Sequence, residues 1–248
     1  MAKKVIYTVL TGGYDRLEQP EVTAPGWDYI CFTDTDGQQG VWQLRKIPFE
    51  GSNVMRARWA KLHPHLLLKD YDYSVFIDAN FCITGEAFYL QNFAALFAHQ
   101  EHPERDCVWE ELRYCYLKDK ISTCTAISWH RFLRHIKMPR HFGLAETGIL
   151  ARAHNNPSVA ELDELWWKLL VQSGGSRDQL AYTPALYKLG MKPELVFGPG
   201  LNARNLPFIR YSNHPVTGVR NTPGKLNWAN LKYNLRLLWR KTVLLCLK

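Results

Sequence analysis

No acidic residue follows Glu194 in this chain of 248 residues, although nine of its 31 Lys and Arg side chains do. The 22 cations that remain in residues 1–194 face 23 carboxylates, so a body of net −1 carries an end of net +9. The overall charge of +8 therefore describes the end rather than the fold. Glycine and proline are also sparse, at 16 and 13, against 46% hydrophobic and 13% aromatic residues. That balance excludes a disordered, collagen-like or low-complexity chain and leaves one globular domain with a sizeable core. No run reaches the roughly 18 uncharged apolar residues that cross a bilayer, because Lys232, Arg236, Arg240 and Lys241 interrupt the most apolar C-terminal stretch. The apolar run behind Lys3 and Lys4 covers only residues 5–10 and stops at Thr11-Gly12-Gly13, too short for a secretory leader. The six cysteines form no C-x-x-C pair, and several sit in strand-like contexts such as YICFTD and FCITG, which reads as buried thiols in the cytosol. Neither a P-loop ending nor G-x-G-x-x-G is present.

What is present alternates strands with helices. Apolar, β-branched runs at 4–10, 27–32, 42–47 and 73–77 predict strands, the last breaking at Asp78-Ala79-Asn80 before Phe81-Cys82-Ile83 resumes. The spacing predicts helices over 53–68, 86–100, 108–118, 123–136, 159–172 and from 177 to about 189. Short strands are expected at 143–152 and 194–197, with loops from there to the tail. The first helix is expected to bury Met55, Trp59, Leu62 and Leu66 and to turn Arg56, Arg58 and Lys61 toward the other face. Such alternation predicts an α/β domain with a mainly parallel central sheet flanked by helices. Ligands of open α/β sheets sit at the carboxyl ends of the strands, where the polar segments TGGYD, FTDTD and DAN all fall.

Those segments hold the chemistry. Asp78 and Asn80 flank Ala79 at a strand end, so two oxygen-bearing side chains share a side. Hard divalent cations such as Mg²⁺ or Mn²⁺ prefer such ligands and complete their shell from substrate phosphates, although a plain polar turn has the same composition. The glycines of Thr11-Gly12-Gly13-Tyr14-Asp15 permit close backbone approach to a nucleotide or serve a structural turn. Arg56, Arg58 and Lys61 form a cation cluster suited to a diphosphate or to a solvated helix face. Glu146, in a mostly apolar segment, requires a partner. Asp178 opens a helix, where the dipole favours an acid, and His214 lies in a polar loop from which it could reach a metal.

Together, the blocks YTVLTGGYD (7–15), FTD (32–34), RARWAKLHPHLL (56–67), YDYSVFIDANFCITG (71–85), HPERDC (102–107), GLAETGILAR (143–152) and WWKLLVQSGGSRDQLAY (166–182) carry a resemblance. Over residues 5–215 the chain resembles the glycosyltransferase-like family once catalogued as domain of unknown function 616, shared by bacterial polysaccharide-cluster proteins and plant mucilage-related and turgor-regulation-defect proteins. The resemblance implies a GT-A-type fold over residues 1–222 and a nucleotide-sugar donor, UDP-linked, held over the carboxyl edge. It implies Thr11, Gly12, Tyr14 and Asp34 near base and ribose, and Arg56, Arg58 and Lys61 at the diphosphate, with Asp78 beside them. Asp78 and Asn80 occupy the place of the GT-A Asp-x-Asp metal motif, with one ligand charge lost at Asn80 and His214 as a suggested third ligand for Mn²⁺ or Mg²⁺. Arg177-Asp178-Gln179 is similar to the DQ region of some retaining enzymes, placing Arg177 and Gln179 at the donor. A carboxylate near the anomeric carbon is needed to take a proton or to stabilise developing positive charge; Asp178 and Glu146 are the candidates.

Residues 223–248 read as a basic amphipathic helix with Trp228 and Trp239, suited either to an anionic membrane surface or to docking on its own domain. The expected setting is therefore cytoplasmic, peripheral on the inner face of the membrane, with a glycan or lipid-linked glycan acceptor in bacterial lipopolysaccharide, O-antigen or capsule synthesis. Two other readings fit parts of the sequence: a basic nucleic-acid-binding protein or metal nuclease, against which stands the lack of a zinc-finger or RNP signature in the basic end, and a non-catalytic sugar-binding module, which has no need of the cation cluster.

Overall fold

The computed structural model describes residues 2–13, 15–174, 177–212 and 238–243. Strands β1 (Lys4–Val9), β2 (Trp27–Thr33), β3 (Gly37–Gln39) and β4 (Trp42–Lys46) precede helices α1 (Asn53–Leu62) and α2 (Pro64–Leu67). Then come β5 (Tyr73–Ile77), β6 (Phe81–Ile83), a 3₁₀ turn (Glu86–Leu90), β7 (Phe97–Glu101), α3 (Val108–Leu117) and α4 (Thr123–His135). The remainder is β8 (Ala145–Arg152), α5 (Pro157–Gln172), α6 (Asp178–Leu189), β9 (Glu194–Leu195) and β10 (Ile209–Tyr211).

Eight strands form one sheet in the order β3-β4-β2-β1-β5-β8-β7-β9, and β10 pairs with β6 apart from it. β4, β2, β1 and β5 run parallel, whereas β8 lies antiparallel between β5 and β7. The carboxyl ends of β1, β2, β4, β5 and β7 thus share one edge with the amino end of β8.

The central strands β1, β2, β5 and β8 are buried on both faces, which is why they read as nearly continuous apolar runs. Val5, Tyr7, Ile30, Phe32, Phe76 and Leu150 point into a core formed with α1 and α3 to α6. The alternate residues Ile6, Tyr29, Cys31, Val75, Ile77 and Ile149 meet Phe81, Phe88, Phe93 and Phe197 on the opposite face. That second face is closed by β6, the 3₁₀ turn and loops rather than by another helical layer. All five cysteines among the described residues are free thiols, four of them buried, and burial pushes Cys31 up to about 12.

Three elements differ from expectation. The helix over 53–68 is two helices, because Pro64 has no N–H to continue α1 and instead starts α2 at its first turn. The buried face of α1 is Ala60-Lys61-Leu62, and Leu66 is exposed. Residues 86–100 give a short 3₁₀ turn and then β7, since a segment paired with β8 on one side and β9 on the other takes the conformation its neighbours impose. β3 and β10 arise where a loop was expected, β3 by a hairpin with the adjacent β4 and β10 by antiparallel pairing to β6, more than 120 residues earlier.

Residues 238–243 are helical and lie on the body. Arg240 donates to the carbonyl oxygens of Tyr116 and Ile121, pairs with Asp119 and stacks 4.7 Å over the Tyr116 ring, and Val243 packs on the helical core. Leu238 and Trp239 remain exposed, at 65% and 63%. The expected boundary near residue 222 lies outside the described residues.

Candidate active site

The loop after β1 is fixed against α1 by three bonds. Thr11 Oγ1 donates to the Asn53 carbonyl at 2.9 Å, the Gly12 N–H donates to Asp34 Oδ2 at 2.8 Å, and Arg56 Nη1 meets Asp34 Oδ1 at 2.6 Å. Gly12 has φ +62°, and a Cβ there would fall 2.0 Å from Asn53 Nδ2, so both conformation and space demand glycine. The Gly12 N–H and then Arg56 hold the Asp34 carboxyl below the usual range. The sequence-predicted Thr11, Gly12, Asp34 and Arg56 are therefore one constellation, and the Arg56 guanidinium is already paired.

One turn along, α1 sends Arg58 and Lys61 to Asp178 at the start of α6. Asp178 Oδ2 accepts from Lys61 Nζ at 2.8 Å, Arg58 Nη1 at 3.0 Å and Thr147 Oγ1 at 3.2 Å. Burial pushes the Asp178 carboxyl up, but the two cations outweigh it and hold the group ionised well below the usual range. Lys61 is also held from behind, since its carbonyl oxygen accepts from Tyr7 Oη at 2.7 Å and from Arg152 Nη2 at 2.8 Å. Arg152 in turn pairs at 2.8 Å with Asp163, both side chains fully buried, and burial raises the Asp163 carboxyl to about 6.

Asp78 caps β5 in the middle of this edge. Its N–H donates to the Gly148 carbonyl at 2.9 Å, and its Oδ2 sits where a Cβ on Gly148 would come within 3.1 Å, so the missing side chain makes room for the carboxylate. No hydrogen bond reaches that carboxylate among the described residues. Burial raises its pKa, with Lys61 and Arg58 opposing and Asp178 and Glu146 adding to the rise. Asn80 is buried, its Nδ2 donating to the Ser212 carbonyl at 3.1 Å. Glu146 has both oxygens engaged, Oε2 by Asn202 Nδ2 at 2.8 Å and Oε1 by Arg204 Nε at 2.9 Å.

Asp78, Asp178, Glu146, Arg58 and Lys61 thus converge on one edge, although their helices and strands span more than 100 residues. Arg177 turns elsewhere, toward the Cys115 thiol on α3, which burial and Glu111 push up to about 11 against the opposing effect of Arg177. Gln179 Nε2 donates to the Ala145 carbonyl at 3.3 Å, bracing β8. Tyr14 and His214 lie outside the described residues. Sequence reasoning did not find Asn53, Thr147, Gly148, Asn202 or Arg204. The one signal was Glu146 itself, whose need of a partner pointed to a cation without saying which.

No family model matches the chain, and no curated protein does. Among solved structures it is similar to the apo structure of the bifunctional glycosyltransferase WbbM, at 11% identity and a TM-score of 0.44, over 79% of this chain and 39% of that one. The chain thus spans about two fifths of that protein's length.

Proposed function

We propose that the chain is a glycosyltransferase that moves a sugar from a nucleotide diphosphate donor to an acceptor hydroxyl. The observation that supports this most is the unpartnered, half-buried Asp78 carboxylate at the end of a parallel strand, beside the two cations that pair with Asp178. Arg58 and Lys61 stand against Asp178 and Asp78, so the two cations are shared and a leaving diphosphate would draw on them together with a metal ion held by Asp78. The resemblance in the TGGYD, FTD, RARWAK and DAN blocks points the same way, because those blocks meet at this edge. In the reaction the bond from anomeric carbon to phosphate oxygen breaks with its electron pair on the diphosphate, the acceptor oxygen bonds the carbon, and its proton passes to water. Asp178, held ionised, is suited to stabilising positive charge at the anomeric carbon rather than to taking a proton. Glu146, saturated by Arg204 and Asn202, is suited to holding that end of the edge in place.

The donor set fits a hard cation. Asp78 offers a free carboxylate, and the Asn80 amide, its nitrogen committed to Ser212, offers an oxygen. No three His, Cys, Asp or Glu side chains converge as a metal site among the described residues, so Mg²⁺ or Mn²⁺ on these two would take its other ligands from diphosphate and water. When bound, it would add charge neutralisation to that of Arg58 and Lys61.

The finer reading is a UDP-sugar donor, a glycan or lipid-linked acceptor of bacterial surface polysaccharide, and a cytoplasmic enzyme attached to an anionic membrane through its basic tail. It rests on the sequence resemblance and on tail composition; no helix among the described residues is long and apolar enough to cross a membrane. Purified protein given a panel of nucleotide-sugars with Mn²⁺ is expected to release nucleoside diphosphate, and Asp78→Ala to slow release by about 100-fold or more. Unchanged turnover in that variant would refute the site.

A further inference from the structure

Beside the Asp78 edge, where β7 and β8 run on toward residues 102–106 and 142–144, a cavity of about 620 Å³ opens between the sheet and α6. That volume is in the range of small-molecule sites. Phe142, Leu186 and Met191 make one side of it apolar, and the carboxylates of Glu101, Glu104, Asp106 and Glu110 line the rest. Arg105 and Lys192 oppose them in the lining, His141 Nδ1 lies 2.7 Å from Asp106 Oδ1, and the Gly200 N–H donates to Glu101 Oε2 at 2.9 Å. Arg105 is moreover committed to Glu104 at 2.9 Å and to the buried Glu111 at 2.8 Å.

Two imidazoles complete the wall, and both are uncharged at neutral pH. Burial lowers His99 to about 4, and burial together with Arg105 lowers His102. His102 Nδ1 accepts from the Glu104 and Arg105 N–H groups at 3.2 Å and its Nε2 lies 3.1 Å from Arg105 Nη2, while His99 Nδ1 meets Tyr182 Oη at 2.7 Å, so it is the Nε2 side of the His99 ring that is left for a hydroxyl. This cavity is thus acidic, whereas at the other end of the edge Arg58 and Lys61 balance Asp178 and Asp78. The two places adjoin through one side chain, because Asn202 Nδ2 donates both to the Glu101 carbonyl at 2.9 Å and to Glu146 Oε2 at 2.8 Å. Glu146 in turn is near enough to Asp78 to act on its charge.

We propose that this cavity is the acceptor subsite and that it takes a pyranose carrying neither phosphate nor carboxylate, a neutral or amino sugar whose hydroxyls face the carboxylates and the His99 ring and whose apolar ring face lies on the Phe142 side. The proposal rests on the glycosyl-transfer reading. It deepens that reading by separating the two substrates by charge, with the anionic donor at the end that holds Arg58 and Lys61 and an uncharged or cationic acceptor in the acidic cavity.

The test is saturation-transfer NMR on the full chain with methyl β-glucoside, methyl N-acetyl-β-glucosaminide, methyl β-glucosaminide and methyl β-glucuronide, each with and without UDP. At least one of the first three is expected to bind, the glucuronide more weakly than all that do. Glu104→Lys and Glu110→Lys, both at exposed positions, are expected to weaken binding by about fivefold or more while melting like the wild type. Absence of binding by every glycoside, equal binding by the charge-reversed variants, or a preference for the glucuronide would overturn the proposal. The uracil protons in the same samples report the donor separately: glycoside binding without UDP binding would overturn the donor reading alone.

Discussion

Asp78 and Asp178 are carboxylates a few side chains apart whose surroundings act in opposite senses. Burial without a hydrogen-bond donor raises Asp78, so its ionised form subtracts stability at neutral pH and the penalty is relieved as pH falls below its folded value. Arg58 and Lys61 depress Asp178, so its contribution is fully present above the unfolded carboxylate value of about 4 and is lost as pH falls through its lower folded value. Asp78→Asn in chelator-treated protein is therefore expected to raise Tm at pH 7 by about 2–4 °C, and Asp178→Asn to lower it by at least as much. Melting curves at pH 7 and pH 4.5 check both, with the gain from Asp78→Asn shrinking at the lower pH. A stabilising change that abolishes turnover is the signature of a functional group held at a cost.

At the scale of elements, the parallel strands were legible because burial on both faces leaves unbroken β-branched runs, and the polar residues closing those runs mark the carboxyl edge. The face of α1 was not legible. Lys61 and Arg58 look the same in a sequence whether water or a carboxylate 117 or 120 residues away receives them, and here it is Asp178. β7 was hidden for a related reason, since its conformation comes from β8 and β9 rather than from its own composition. The network behind Lys61 has no local sequence signal either, although it joins β1, α1, β8 and α5 through Tyr7, Lys61, Arg152 and Asp163. Asp163→Ala would leave Arg152 charged, buried and unpaired, so urea unfolding is expected to show a loss of about 3–5 kcal/mol. A loss below about 1 kcal/mol would mean that the pair is not the brace described.

Over the whole molecule, charge is partitioned. The near-neutral body spends its site cations on specific carboxylates, and the excess sits in the tail, of which Arg240 is used to dock residues 238–243 on the α3–α4 turn. That docking leaves Trp239, Leu238 and Lys241 exposed, the residue types that suit an anionic interface. Trp239→Ser combined with Lys241→Glu is expected to reduce co-sedimentation with phosphatidylglycerol vesicles by about tenfold; undiminished binding would place any membrane contact elsewhere. The tail between 213 and 237, with His214, is where sequence reasoning has no structural counterpart among the described residues.

If the Asp78 edge with Arg58 and Lys61 receives a nucleoside diphosphate, calorimetric titration of the full chain with UDP and with uridine in the presence of Mn²⁺ separates the two ligands. UDP is expected to bind at least about 100-fold more tightly than uridine, a difference of roughly 2.7 kcal/mol, and Asp78→Asn or Lys61→Met to remove most of the difference. UDP binding no tighter than uridine, or a preference for UDP that survives both substitutions, would contradict that role for the edge.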